Sequence, residues 1–196
     1  MTGSSDSTVL IWDALTGDTI RSLRGHKGHV TSVAFSYDDK YIVAGSSDRT
    51  AIIWNASSGD SICSWKPKSS DEIKFVSFTS DNSNVVLGCG YSVFFWDNWK
   101  VGRPNMVKDF TLKSSIKQFG YDSRFVLDEY NNVYDTNSGN LLYKIHCQDE
   151  GETYFATDKD EYYILSDKRV QKVKLMSLNE WIEICHKTLN KESNKN

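Results

Sequence analysis

Apolar residues along this chain fall in short runs, broken at close intervals by polar turns. Val30-Thr-Ser-Val-Ala-Phe35 alternates in part and gives way to the polar Ser36-Tyr-Asp-Asp-Lys40. Tyr41-Ile-Val-Ala44 is a continuous apolar run closed by Gly45-Ser-Ser-Asp48. Thr50 to Trp54 and Ser61 to Trp65 follow, with Gly59 between them. The same order returns as Ile73 to Phe78, Asn84 to Leu87, Ser92 to Trp96 and Val107 to Leu112. β-Branched and aromatic enrichment, with turns about every 8–12 residues, predicts short strands throughout. Pro67 and Pro104 fall between runs, where a missing N–H does no harm.

The runs repeat. Thr8-Val-Leu-Ile-Trp12-Asp13 recurs as Thr50-Ala-Ile-Ile-Trp54-Asn55 and as Ser92-Val-Phe-Phe-Trp96-Asp97. The intervals are 54 − 12 = 42 and 96 − 54 = 42. A fourth copy, Asn132-Val-Tyr134-Asp135, follows after 134 − 96 = 38 residues, with Tyr in place of Trp. Asp6 and Asp48 each precede their Trp by six residues. Gly17, Gly59 and Gly139 each follow the Asp or Asn by four. Asx and Ser/Thr side chains that fold back on the backbone, with Gly supplying positive φ, make these segments turns.

Four short strands in a period of about 42 residues correspond to one propeller blade. The chain resembles the WD-repeat β-propellers. The matching residues are Gly25-His26, Val30-Thr-Ser-Val-Ala-Phe-Ser36, Tyr41-Ile-Val-Ala-Gly-Ser-Ser-Asp48 and Trp54-Asn55. The match is strong over 1–97 and weak over 98–176, where no Gly-His pair occurs. Gly90 stands where Asp48 stood. The resemblance implies an all-β propeller of about four to four and a half blades, read as the C-terminal part of a longer ring. Its repeats are expected near 1–13, 14–55, 56–97, 98–135 and 136–176, all within one domain over 1–176. Trp12, Asp13, Trp96, Asp97, Tyr134 and Asp135 are the repeat anchors.

His26, Ser46, Asp48 and Trp54 bring Ser, His and Asp together, the types used in a catalytic triad. The resemblance implies a structural role instead. In WD repeats these positions form a buried hydrogen-bond network between a strand and the loop before the blade's first strand. Indole, hydroxyl, imidazole and carboxylate can pair in that way. The densest positive stretch is Arg21-Ser-Leu-Arg24-Gly-His-Lys27-Gly-His29. Its readings are a solvated turn or a contact for an anion or phosphopeptide. By analogy with the family's loop-rich face, Lys27, His29, Ser47 and Arg49 are expected to touch a ligand. Trp99, beside Lys100, Arg103 and Pro104 and outside the repeat, is a further candidate contact.

Ser177-Leu-Asn-Glu180 is a capping box. Leu178, Trp181, Ile182, Cys185 and Leu189 then line one face, which predicts an amphipathic helix over 177–190 and a frayed tail over 191–196. This segment loosely resembles the helix after the propeller in some nucleotide-switch proteins.

Composition narrows the function. Of 196 residues, 23 are Lys or Arg and 26 Asp or Glu, a net charge of −3. That balance gives no electrostatic reason to expect nucleic acid or an anionic membrane. No apolar run is long enough to cross a bilayer, and Met1 to Asp6 is no signal peptide. An intracellular, cytoplasmic place with reduced thiols is expected. Cys63, Cys89, Cys147 and Cys185 stand far apart, so no zinc cage is expected. No paired catalytic carboxylates and no glycine-rich phosphate loop occur. The sequence is therefore read as a non-catalytic scaffold for proteins or peptides, with no cofactor and no metal. Open blade edges would favour self-association. The alternatives are a sensor module of a larger NACHT-like nucleotide-switch protein, a chromatin or peptide reader with Tyr91 or Trp99 in an aromatic cage, and, more remotely, an enzyme.

Overall fold

The computed structural model describes residues 1–97, 99–102, 105–119, 125–130, 132–136, 138–144, 154–158, 161–166 and 169–173. The helix expected over 177–190, the tail, Arg103, Pro104, Cys147 and Cys185 lie outside the described residues. Two compact units are present, Met1–His146 and Cys147–Asn196.

In the first unit the strands form antiparallel sheets in chain order. The first holds β1 (Thr2–Gly3), β2 (Val9–Trp12) and β3 (Thr19–Leu23). The second holds β4 (Val30–Phe35), β5 (Tyr41–Ser46), β6 (Ala51–Asn55) and β7 (Ser61–Trp65). The third holds β8 (Ile73–Phe78), β9 (Val85–Cys89), β10 (Ser92–Asp97) and β11 (Asn105–Thr111). The fourth holds β12 (Ile116–Phe119), β13 (Phe125–Asp128), β14 (Asn132–Asp135) and β15 (Leu141–Lys144). In the second unit β16 (Tyr154–Asp158), β17 (Glu161–Ser166) and β18 (Arg169–Val173) form a three-stranded sheet. The sheets of the first unit have the all-β blade build that the run-and-turn pattern predicts. One turn of 3-10 helix, Trp99–Val101, interrupts it.

The middle strands of the second sheet are buried on both sides, which explains their continuous apolar runs. Val43, Ala51 and Ile53 face the third sheet and pack with Val76, Leu87, Phe94 and Trp96. Ile42, Ala44, Ile52 and Trp54 face the first sheet and meet Val9, Ile11 and Leu23. Val93 and Phe95 pack with Val126 and Tyr134 on the far side of the third sheet. The tryptophan of a blade therefore points back to the preceding blade. Trp54 is 1% exposed, and burial of such a ring is worth roughly 4–6 kcal/mol by area. Trp12, in the first described sheet, is 38% exposed, and its Nε1 donates to Thr2 Oγ1.

Glycine permits the close approach of blades. A Cβ on Gly3, Gly45 or Gly88 would lie 2.5 Å from Val30, 2.5 Å from Ile73 or 2.6 Å from Ile116. Each neighbour belongs to the first strand of the next sheet.

A second device recurs at the outer strand. Arg21, Cys63 and Lys108 each pair across the strand with the residue just before Trp12, Trp54 or Trp96. Each reaches the next blade. The Arg21 guanidinium donates to Ser58 O at 2.8 Å and Ser57 O at 2.6 Å. Cys63 Sγ donates to Trp99 O at 3.4 Å, and Lys108 Nζ to Thr136 O at 3.3 Å. All these acceptors lie just after the anchor tryptophan or tyrosine of the following blade.

Candidate functional site

Strand direction puts two kinds of connection at opposite ends of each blade. One end carries the hairpin turns β4–β5, β6–β7, β8–β9, β2–β3 and β14–β15. The other carries the connections between blades and the turns β1–β2, β5–β6, β9–β10 and β13–β14. We call the first the turn end and the second the loop end.

At the turn end the Asx bonds stay within one turn, while Tyr37 N–H to Asn82 Oδ1 and the Arg21 bonds to Ser57 and Ser58 cross between blades. Asp13 Oδ1 accepts the N–H groups of Leu15 and Thr16, and Asn55 Oδ1 those of Ser57 and Ser58. Asp135 Oδ1 accepts Ser138 N–H at 2.6 Å. Gly17, Gly59 and Gly139 close these turns at φ 76°, 82° and 73°. The β4–β5 and β8–β9 turns match each other as well. Ser36 Oγ donates to Asp38, and Thr79 Oγ1 to Asp81, both at 2.6 Å. Asp97 breaks the Asx–glycine series; there the chain makes the 3-10 turn that Gly102 ends at φ 67°.

At the loop end the bonds run between connections. His26 is buried in the β3–β4 connection. Its Nδ1 lies 3.2 Å from Asp48 Oδ2 and 3.1 Å from Thr50 Oγ1. A carboxylate only accepts, so Nδ1 carries the hydrogen. Asp48 Oδ2 also accepts Lys27 N–H at 2.7 Å. Asp48 Oδ1 accepts the N–H and the hydroxyl of Thr50, at 2.8 and 2.5 Å. Burial opposes the Asp48 charge, but these donors and His26 outweigh it and hold its pKa below the usual 3.8. Trp54 stands edge-on to His26, with centroids 5.7 Å apart at 70°.

Ser46 enters this cluster through Asp48, whose N–H donates to its Oγ at 3.1 Å. The hydroxyl beside His26 is that of Thr50, a residue that the sequence reading left out of the set. His26 Nε2 is buried without a hydrogen-bond partner among the described residues. The cluster thus lacks the serine–histidine bond on which a triad works. Thiol chemistry is no better provided for. Burial pushes the Cys63 thiol up to about 11, and burial with Asp71 pushes Cys89 up to about 12.

Three of the four expected contact residues are exposed here, and Ser47 is half-buried. Their backbones are fastened together. Ser47 N–H donates to His29 O at 2.9 Å, and His29 Nδ1 is 2.7 Å from Ser5 O, in the β1–β2 turn. Arg49 sits at φ 69°, in the left-handed region.

Trp99 corrects an expectation. It offers no surface: it is 0% exposed and packs between Tyr41 at 4.8 Å and Phe78 at 5.3 Å. The 3-10 turn swings the indole into the space between the second and third sheets. It also sits beyond β10 from Tyr91, so these two residues share no aromatic cage.

Asp128 was missed, although the spacing held the signal: 134 − 6 = 128, the same offset that selects Asp48. Asp128 is fully buried and accepts from Tyr130 N–H, Asn132 N–H, Asn132 Nδ2 and the Tyr134 hydroxyl. Asp6 supplies the first copy, accepting Thr8 N–H at 3.0 Å and Thr8 Oγ1 at 2.6 Å.

Residues 17–55 match the family model described as WD domain, G-beta repeat. The chain carries a WD repeat. No curated protein matches the chain. The matched WD repeat runs from β3 through β6, one strand out of phase with the sheet β4–β7. A WD repeat therefore contributes its first strand to one sheet and its next three to the following sheet, which stitches neighbouring blades together. Among the described residues no group of His, Cys, Asp and Glu could hold a metal ion, and no helix is long and apolar enough to cross a membrane.

Proposed function

We propose that this chain is a non-catalytic scaffold that binds proteins or peptides at its loop end. The observation that carries the reading is the fastening of this patch, Lys27 N–H to Asp48, Ser47 N–H to His29 O and Arg49 N–H to Ser46 O. Rigid backbone lowers the entropy lost on binding. The buried polar cluster beneath does structural work, so the outward side chains are free to recognise a partner. We read β16–β18 as a further blade and the whole stretch 1–176 as propeller. An intracellular, cytoplasmic setting suits the free thiols of Cys63 and Cys89.

Affinity purification of the native product followed by mass spectrometry tests this. The Lys27→Glu/Arg49→Glu double variant is expected to lose captured proteins. Lys40→Glu, at the turn end, is expected to keep them. Equal capture by both variants would refute the loop end as the docking surface.

A further inference from the structure

We propose that the turn end is a second docking surface, and that it takes a peptide segment of another protein that carries lysine or arginine together with apolar side chains. The inference goes beyond docking at the loop end. It gives the scaffold a partner on the opposite face of the same blades.

Exposed apolar side chains gather at the turn end. Leu15 is 98% exposed in the β2–β3 turn, and Ile20 and Val101 are exposed close to their turns. Phe35 ends β4 and Tyr37 follows it in the β4–β5 turn, each 38% exposed. At the loop end only Tyr91 and Tyr130, among the described residues, expose large side chains of this kind. Apolar surface left in water marks a contact for a partner. The backbone beneath is shared between blades, because Tyr37 N–H donates to Asn82 Oδ1 at 2.8 Å and so joins the β4–β5 turn to the β8–β9 turn.

Charge names the partner. Asp13 and Asp18 stand in the β2–β3 turn, Asp38 and Asp39 in β4–β5, Asp60 in β6–β7 and Asp81 in β8–β9. Asp97 and Asp135 end β10 and β14 on the same side. Three cations face these acids among the described residues. Lys40 pairs with Asp38 at 3.6 Å, Arg21 is turned into the seam toward Ser57 O and Ser58 O, and Lys100 lies over the Trp99 ring. Asp18, Asp39, Asp60 and Asp81 are exposed and make no ion pair within 4.0 Å among the described residues. Donors within the turns, foremost Thr16 N–H, the Ser36 hydroxyl and the Thr79 hydroxyl, hold Asp13, Asp38 and Asp81 below the ordinary 3.8, so the face stays negative at neutral pH. The loop end has no such bias: Lys27, Arg49, Lys66, Lys68 and Lys113 stand among Asp6, Asp48, Asp71, Glu72 and Glu129. A one-signed face steers a partner of the other sign, and the rings of Phe35 and Tyr37 beside carboxylates favour a cation further.

The test is a displayed library of random peptides selected on the full chain and then sorted on variants. Asp39→Asn/Asp81→Asn removes two charges and keeps both turns. Asparagine tolerates φ 57° at position 39, and at position 81 it keeps an oxygen for Thr79 Oγ1 and Ser83 N–H. A class of binders rich in Lys or Arg and in aromatic or aliphatic residues is expected. Their affinity should fall about tenfold on this variant and should weaken as salt rises, yet stay unchanged on Lys27→Glu/Arg49→Glu. Tyr37→Ser keeps the backbone bond to Asn82 and should weaken the same peptides with their salt dependence intact. Selection of no binder that responds to Asp39→Asn/Asp81→Asn overturns the inference. Turn-end binders that are acidic, or that bind equally well with their sequences scrambled, overturn it too. None of these results bears on the loop end, whose docking reading fails instead if protein capture survives Lys27→Glu/Arg49→Glu.

Discussion

The two ends of the blades use the same side-chain types to different effect. At the turn end, Asp13, Asn55 and Asp135 bond to N–H groups two or three residues away. At the loop end, Asp48 reaches Lys27 and His26, 21 and 22 residues away. A local Asx bond shapes one turn. A long-range one fixes two connections against each other and leaves the intervening side chains outward. The difference teaches that the same carboxylate can shape one turn or tie two connections; at the turn end the ties between blades come instead from Arg21 to Ser57 and Ser58 and from Tyr37 N–H to Asn82 Oδ1.

Removal of the carboxylates gives the largest expected contrast. Asp48→Ala strands Lys27 N–H and the Thr50 donors and should cost about 2–3 kcal/mol. Asp13→Ala, whose donors open to water, should cost about 1 kcal/mol or less. Urea midpoints of the two variants measure both. Acid sharpens the same comparison. The folded pKa of Asp48 lies below the ordinary 3.8, so its stabilisation is complete above that value and is lost as pH falls through the lowered one. Asp48→Asn should flatten the stability profile in that acid range; a profile parallel to the parent's would show that Asp48 adds nothing there.

Glycines at the turn end give a smaller effect. Gly17 and Gly59 have nearly the same φ, but a Cβ at Gly17 meets nothing within 4 Å, and one at Gly59 meets Arg21 Cδ at 2.7 Å. Gly17→Ala should cost about 1 kcal/mol, from φ alone. Gly59→Ala should cost about 1 kcal/mol more, because it disturbs the Arg21 latch between blades. Equal melting temperatures for the two variants would deny the latch a role. The smallest effect is expected at Arg49→Gly. Relief at positive φ and the greater freedom of unfolded glycine oppose each other, so stability should shift by less than about 0.5 kcal/mol.

Much of the architecture was legible because packing repeats in register. The Trp12, Trp54 and Trp96 spacing marks strands whose neighbours must be alike, and the Asx–glycine turns carry their own chemistry. Asp128 was legible by the same arithmetic. The latch was not, because its donors are Arg21, Cys63 and Lys108 and its acceptors are backbone carbonyls. A carbonyl leaves no mark in the sequence, and three unlike donors show no motif. Trp99 misled for a related reason. A tryptophan outside the repeat carries no phase, so the sequence says nothing of the gap between sheets that it fills. Thr50 was overlooked because the resemblance directed attention to Ser46, whereas the turn geometry brings the hydroxyl two residues past Asp48 to the histidine.

Hydrogen exchange on the native product, with and without a captured protein, tests the account most directly. Protection on binding should fall on the β3–β4 connection around Lys27 and His29 and on the turns that hold Arg49, Tyr91 and Tyr130. Protection confined to Asp13–Gly17, Ser36–Lys40 and Asn55–Gly59 would place the partner at the turn end and contradict it.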